Sequence, residues 1–177
     1  MTIKRRLILA LAALPLLLGA DRPAGDDLHT KVTNTIATFK KADPGIEKFF
    51  NSAPGYAVFP SVGKGAIGVG GAHGSGELIV GGKAIGKCTL TQVTVGFQLG
   101  GQSYSEVIFF EQQNTIEGFK NGDFSFAAQA SAVAVTAGAS ANAAYRNGVA
   151  VFTRAKGGLM YEASIGGQKF SYEAYKQ

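Results

Sequence analysis

Few residues in this 177-residue chain have the type and spacing that catalysis needs. The two histidines are His29 and His73, and the single cysteine is Cys88. His29 falls on the solvated side of a helical stretch, and His73 in a glycine-rich turn four residues before Glu77. No two of these residues have the spacing of a recognised metal site, so no metal is expected. The chain has neither a G-x-S-x-G elbow nor an H-E-x-x-H helix. Glu106, Glu111 and Glu117 could act as paired carboxylates only if the fold brought them together. No catalytic residue is nominated, and the chain reads as a non-enzyme.

Two glycine patterns resemble nucleotide loops. Gly63-Lys64-Gly65-Ala66-Ile67-Gly68 matches the dinucleotide fingerprint, but Val69-Gly70-Gly71-Ala72-His73-Gly74 follows, which cannot sustain the helix that the pyrophosphate requires. Gly81–Cys88 fits the phosphate loop with Cys88 in the Ser/Thr place. A thiol is a poor ligand for magnesium, and Thr89–Leu99 alternates like a strand where a helix must start. Neither a nucleotide nor any other cofactor is expected.

The remaining signal is basic and apolar together. Leu28, Val32, Ile36 and Phe39 form one helical stripe, and Ile46, Phe49 and Phe50 belong to a second short helix. Lys31, Lys40, Lys41 and Lys48 lie beside them. Lysines next to Phe39, Phe49 and Phe50 make the pattern of an interfacial amphipathic helix. These seven residues are the candidate lipid contacts. On pattern alone, a stripe packed on its own sheet with solvated lysines is the more ordinary reading.

The elements that must position these residues can be read in order. Asp43-Pro44 caps and starts the second helix, and Ala53-Pro54-Gly55 ends it. From Tyr56 the period becomes two. Thr91–Leu99 sets Val93, Val95, Phe97 and Leu99 on one face, as in a half-buried antiparallel strand. Gly100-Gly101 leads into a strand over Tyr104–Glu111, and Gln113–Phe119 reads as a helical turn closed by Asn121-Gly122. Asn147-Gly148, Gly157-Gly158 and Gly166-Gly167 are hairpin signals. Residues 127–144 are rich in alanine and suit either state, with strands favoured over helix. A small-residue face there would suit assembly with a partner or a second copy. The predicted fold class is α+β, with N-terminal amphipathic helices on a mainly antiparallel, barrel-like sheet.

Bulk properties bound the function. Glycine, 25 of 177 residues, is about twice as common as usual, without a collagen period. Lys4, Arg5 and Arg6 precede the apolar run Leu7–Leu18, and Gly19-Ala20 follows, the order of a secretory signal peptide over residues 1–20. An uncleaved N-terminal anchor is the alternative. Asp21 after Ala20 leaves no lipoprotein cysteine. Removing residues 1–20 takes away three of 17 basic residues, leaving 14 against 12 acidic, a net charge of +2. Nucleic acid is not expected as a partner at that charge. Residues 21–27 read as a polar tether and 28–177 as one domain, periplasmic or secreted.

From Phe49 to the C-terminus the chain resembles the SYLF domain, also described as an actin-regulator domain. The likeness is carried by Pro54-Gly55-Tyr56-Ala57-Val58-Phe59-Pro60, the glycines of 63–76, Val95-Gly96-Phe97-Gln98-Leu99-Gly100-Gly101-Gln102, and Lys156-Gly157-Gly158-Leu159-Met160. The resemblance implies a non-catalytic domain that binds phospholipid or a membrane surface; separately, small interior residues would leave room in the core for an acyl chain. A structural or assembly module of the periplasm acting through protein–protein contacts, a homo-oligomer among them, is the other reading. The chain has no tryptophan, and Lys87-Cys88-Thr89-Leu90 stands where the family has Trp-Ser-x-Pro. Phosphoinositide specificity and actin binding are therefore not carried over.

Overall fold

A computed structural model describes residues 24–64, 71–93, 103–126, 131–157 and 163–176. The expected signal peptide, the strand reading of 94–99 and the Gly100-Gly101 turn lie outside these residues. Helix α1 (Ala24–Ala42) begins within the stretch read as a tether, so residues 24–27 form its first turn. Its stripe is buried as its spacing predicts: Val32 and Phe39 are enclosed, and Leu28 and Ile36 pack beside them. The Asp43 side chain accepts a hydrogen bond from the Gly45 amide and caps a 3₁₀ turn, Pro44–Ile46, before helix α2 (Glu47–Ser52).

Eight strands follow: β1 (Gly55–Lys64), β2 (Gly71–Val80), β3 (Lys83–Val93), β4 (Tyr104–Phe110), β5 (Ser131–Ala134), β6 (Val149–Ala155), β7 (Ala163–Ser164) and β8 (Gln168–Ala174). Helix α3 (Gln113–Lys120) leaves β4 and ends at Asn121 and Gly122, as expected. The sheet order is β7-β5-β6-β4-β1-β2-β3-β8, and every pairing is antiparallel except β5 with β6. Residues 131–134 take the strand form favoured for the alanine-rich stretch, whereas 139–142 form a 3₁₀ turn.

Both faces of the central strands are buried, which explains their nearly continuous apolar character. One face of β1, β4 and β6 gives Ala57, Phe59, Ile108, Phe110, Val149 and Val151 to an inner core, together with Ile116 and Phe119 of α3. The other gives Val58, Val107, Phe109, Ala150 and Phe152 to an outer core under α1 and α2. Tyr104–Phe110 is buried at every position, not at alternate ones.

The sheet curls until β8 meets β4 and β1 across the inner core, with Gln168 Nε2 3.0 Å from Glu106 and the Phe59 and Phe170 rings 5.9 Å apart. It is not closed into a barrel, which corrects the barrel-like expectation. Its ends, β7 and β8, do not pair with each other among the described residues; β8 instead meets the segment before β5 through an isolated bridge, Ser125 to Lys169, and through the hydrogen bonds Phe126 N to Gln168 O at 3.3 Å and Gly167 N to Phe126 O at 3.2 Å. Part of the curl comes from a bulge. Register shifts between Val58 and Ser61 against β2, and between Phe59 and Val62 against β4, with Pro60 in the shifted segment. Opposite the bulge, a Cβ on Gly76 would lie 2.2 Å from the Val58 carbonyl oxygen, so only glycine fits there.

Candidate functional site

The nucleotide-like loop is a hairpin turn. β2 ends at Val80, Gly81 and Gly82 have φ of 56° and 77°, and β3 starts at Lys83, so no helix N-terminus stands behind the glycines. Lys64 of the other glycine pattern ends β1, and residues 65–68 lie outside the described residues.

The seven candidate lipid contacts separate into two populations. Phe39 and Phe49 are buried, which corrects their assignment as membrane-facing rings. Phe49 meets Phe109, Tyr145 and Phe152 at 5.5, 5.5 and 5.0 Å, and half-buried Phe50 meets Tyr56 and Phe109 at 5.0 and 4.7 Å. The physical cause is the wide apolar outer face of β1, β4 and β6, which these helices cover together with Val135 and Tyr145.

The lysines remain near the surface. Lys40 bonds Glu47 at 3.0 Å and lies 5.0 Å from the Phe50 ring centroid. Lys48 donates to the Ala141 carbonyl at 3.4 Å and lies 5.1 Å from the Phe49 centroid, while Lys41 is exposed. These three stand at the α1–α2 corner. Lys31 is nine residues back along α1, about 13 Å away by helical rise, and pairs with Asp27 at 2.5 Å.

Lys31 borders a second feature, a cleft of about 500 Å³ between the start of α1 and strands β2, β3 and β8. Asp27, Ser75, Lys87, Tyr175 and Lys176 also line it, so charges of both signs meet there. Close by, buried Glu77 takes His29 Nδ1 at 2.9 Å on one oxygen and the Tyr175 hydroxyl at 2.5 Å on the other. His29 is exposed, as expected, yet its ring is held by Glu77. His73, expected in a turn, is an exposed residue of β2 paired with Thr91. Cys88 is buried next to this group, and burial first, then the Glu77 charge, pushes its thiol up, away from a thiolate nucleophile.

A third feature was missed in the sequence. Inside the curled sheet, Gln168 Nε2 donates to Glu106 Oε2 at 3.0 Å and to the Tyr104 hydroxyl at 3.1 Å. Tyr104 reaches Gln92 at 3.5 Å, and Gln92 Nε2 donates to the Gly166 carbonyl at 3.0 Å. Burial pushes the Glu106 carboxyl up to about 8, against the lowering effect of the Gln168 bond. The sequence carried a usable signal: period two puts Glu106 on the same strand face as Tyr104, Ile108 and Phe110. Glu111 and Glu117, its possible carboxylate partners, are both exposed.

Comparison with known proteins agrees with the resemblance. The family model Ysc84, described as "Las17-binding protein actin regulator", matches residues 91–175, just under half of the chain. Beta cell expansion factor A of Aeromonas veronii is 27% identical over 146 residues, which cover 81% of this chain and 55% of that protein. The chain thus spans little more than half the length of that curated relative. Its residues 91–175 match the Ysc84 (SYLF) domain family.

Proposed function

We propose that this is an exported, non-catalytic domain that binds anionic phospholipid of the cell envelope through Lys40, Lys41 and Lys48. The observation that carries the reading is the division between rings and cations at the α1–α2 corner. Phe39 and Phe49 are committed to the core while the lysines stay near solvent. Contact is therefore by headgroup charge, without insertion of aromatic rings. Each lysine near an anionic surface contributes about 1 kcal/mol, less for Lys40, which already faces Glu47. Export rests on the basic–apolar–small order of residues 1–20. Actin regulation, which the family description names, requires a partner outside that compartment and is not adopted.

The test is co-sedimentation of the mature protein with vesicles of phosphatidylglycerol or cardiolipin, against phosphatidylcholine. Binding should favour the anionic vesicles and weaken with salt, because exposed charges are screened. The double variant K40E/K41E should bind at least about tenfold more weakly, given the contribution per lysine. Equal binding to neutral and anionic vesicles would end this reading. Nothing specific favours the assembly alternative: within 127–144, its proposed contact face, residues 131–134 are already placed between β6 and β7 in the sheet.

A further inference from the structure

We propose that the inner core contains a site for an aliphatic chain with a neutral hydroxyl-bearing head, received by Glu106, Gln168 and Thr153. This goes beyond the surface reading above and uses none of its residues.

Three observations converge on it. First, the three side chains are wholly buried, yet Glu106 Oε1, Gln168 Oε1 and Thr153 Oγ1 have no hydrogen-bond partner among the described residues. Buried polar atoms are paired in the great majority of cases, so three orphans in one place need a partner. Second, these groups are neighbours. Thr153 lies directly opposite Glu106 in the β4–β6 register, and Gln168 bonds Glu106 Oε2 from β8. Third, the surroundings are apolar and aromatic. Phe59 is opposite Glu106 on β1, and its ring is 5.9 Å from that of Phe170. Phe170 in turn meets Phe124 and Phe126 at 5.8 and 5.7 Å. Phe124 and Phe126 are only half-buried, and they flank Ser125, which bridges to Lys169 of β8. Apolar rings thus run from the half-buried Phe124 and Phe126 inward through Phe170 and Phe59 to the polar group, the surroundings an aliphatic tail prefers.

The donor inventory selects the head. Glu106 stays protonated up to about pH 8 and offers an O–H, Gln168 Oε1 only accepts, and the Thr153 hydroxyl does either. A hydroxyl or an undissociated carboxyl complements that set. An ionised carboxylate does not, since no lysine or arginine is buried among the described residues. Of the groups packed around Glu106, Tyr104 is titratable, and its hydroxyl is itself pushed up by burial and then by Glu106. Phe59, Gln92, Thr153 and Gln168 carry no charge.

The full mature chain is titrated with 1-octanol, octane or octanoic acid, and the Gln168 side-chain amide is followed by nuclear magnetic resonance. Octanol should shift that signal saturably, and octane at equal free concentration should leave it in place. Octanoic acid should bind only in acid solution, where it is undissociated. E106L, which places an apolar side chain of similar size at this buried position, should lose the preference for octanol over octane. Equal responses to octanol and octane, uptake of octanoate at neutral pH, or undiminished octanol preference in E106L would each overturn the site. Vesicle binding through Lys40 and Lys41 is read separately, so either proposal can fail without the other.

Discussion

Asp43 and Glu106 are both withdrawn from solvent, and their surroundings drive them in opposite directions. At Asp43 burial alone would raise the carboxyl, but hydrogen bonds from Ser140, Gly45 and Gly138 outweigh it and hold it below its usual range. It remains ionised, caps the 3₁₀ turn and ties that turn to residue 140, 97 positions along the chain. Its contribution to stability is present at neutral pH and lost as pH falls through its lowered value. Glu106 has one protein donor, Gln168, so burial prevails and the group stays neutral. The sign of its pH dependence is reversed. Between the ordinary value of 4.5 and about 8, the unfolded chain has released this proton and the folded chain has kept it. Its contribution to folding stability should fall by about 1.4 kcal/mol per pH unit across that window and level off above it. E106Q, uncharged at every pH, should lack this slope. Denaturant midpoints of the two proteins, differenced against pH, measure it, and parallel curves would show that Glu106 titrates normally.

At the scale of elements, α1 and α2 show how one pattern serves two roles. An amphipathic stripe beside lysines can face a membrane or its own sheet, and the outer apolar face of β1, β4 and β6 decides for the sheet. Phe49→Ala should therefore cost about 3–5 kcal/mol of stability, as for other buried aromatic rings, in thermal or denaturant melts without lipid. A change under about 1 kcal/mol would mean that the ring is not a core residue. Much of this level was legible. The Leu28–Phe39 spacing, the Asp43-Pro44 cap and the Asn121-Gly122 stop each depend on neighbours within a turn or two. Asn147-Gly148 is a hairpin turn, with φ of 52° and 79°. What could not be read depends on distant partners. Full burial of Tyr104–Phe110 requires β1 and β6 on either side, and Glu106 becomes buried only because the curl brings Gln168 across to it. The pairing of His29 with Glu77 joins residues 48 apart, and no spacing announces it.

For the whole molecule, the sheet order and the extent of the family match are out of step. The match begins at residue 91, near the end of β3, and so omits β1, β2 and most of β3. In the sheet those strands stand between β4 and β8. Without them the fragment 91–175 is divided into a β7-β5-β6-β4 piece and a lone β8. It also loses Ala57, Phe59, Leu78, Cys88 and Leu90 from the inner core, and with α1 and α2 gone Phe109 and Phe152 lose their cover. Burial of apolar surface is the main force opposing chain entropy, and a fragment that exposes both cores cannot supply it. We expect residues 91–175 produced alone to show no cooperative melt and a poorly dispersed amide spectrum, while residues 24–177 fold. A sharp two-state transition in the short fragment would mean that the matched segment carries its own core and that β1–β3 are an addition to it. The folding unit is instead the longer chain, because the strands that complete each core come from both sides of residue 91.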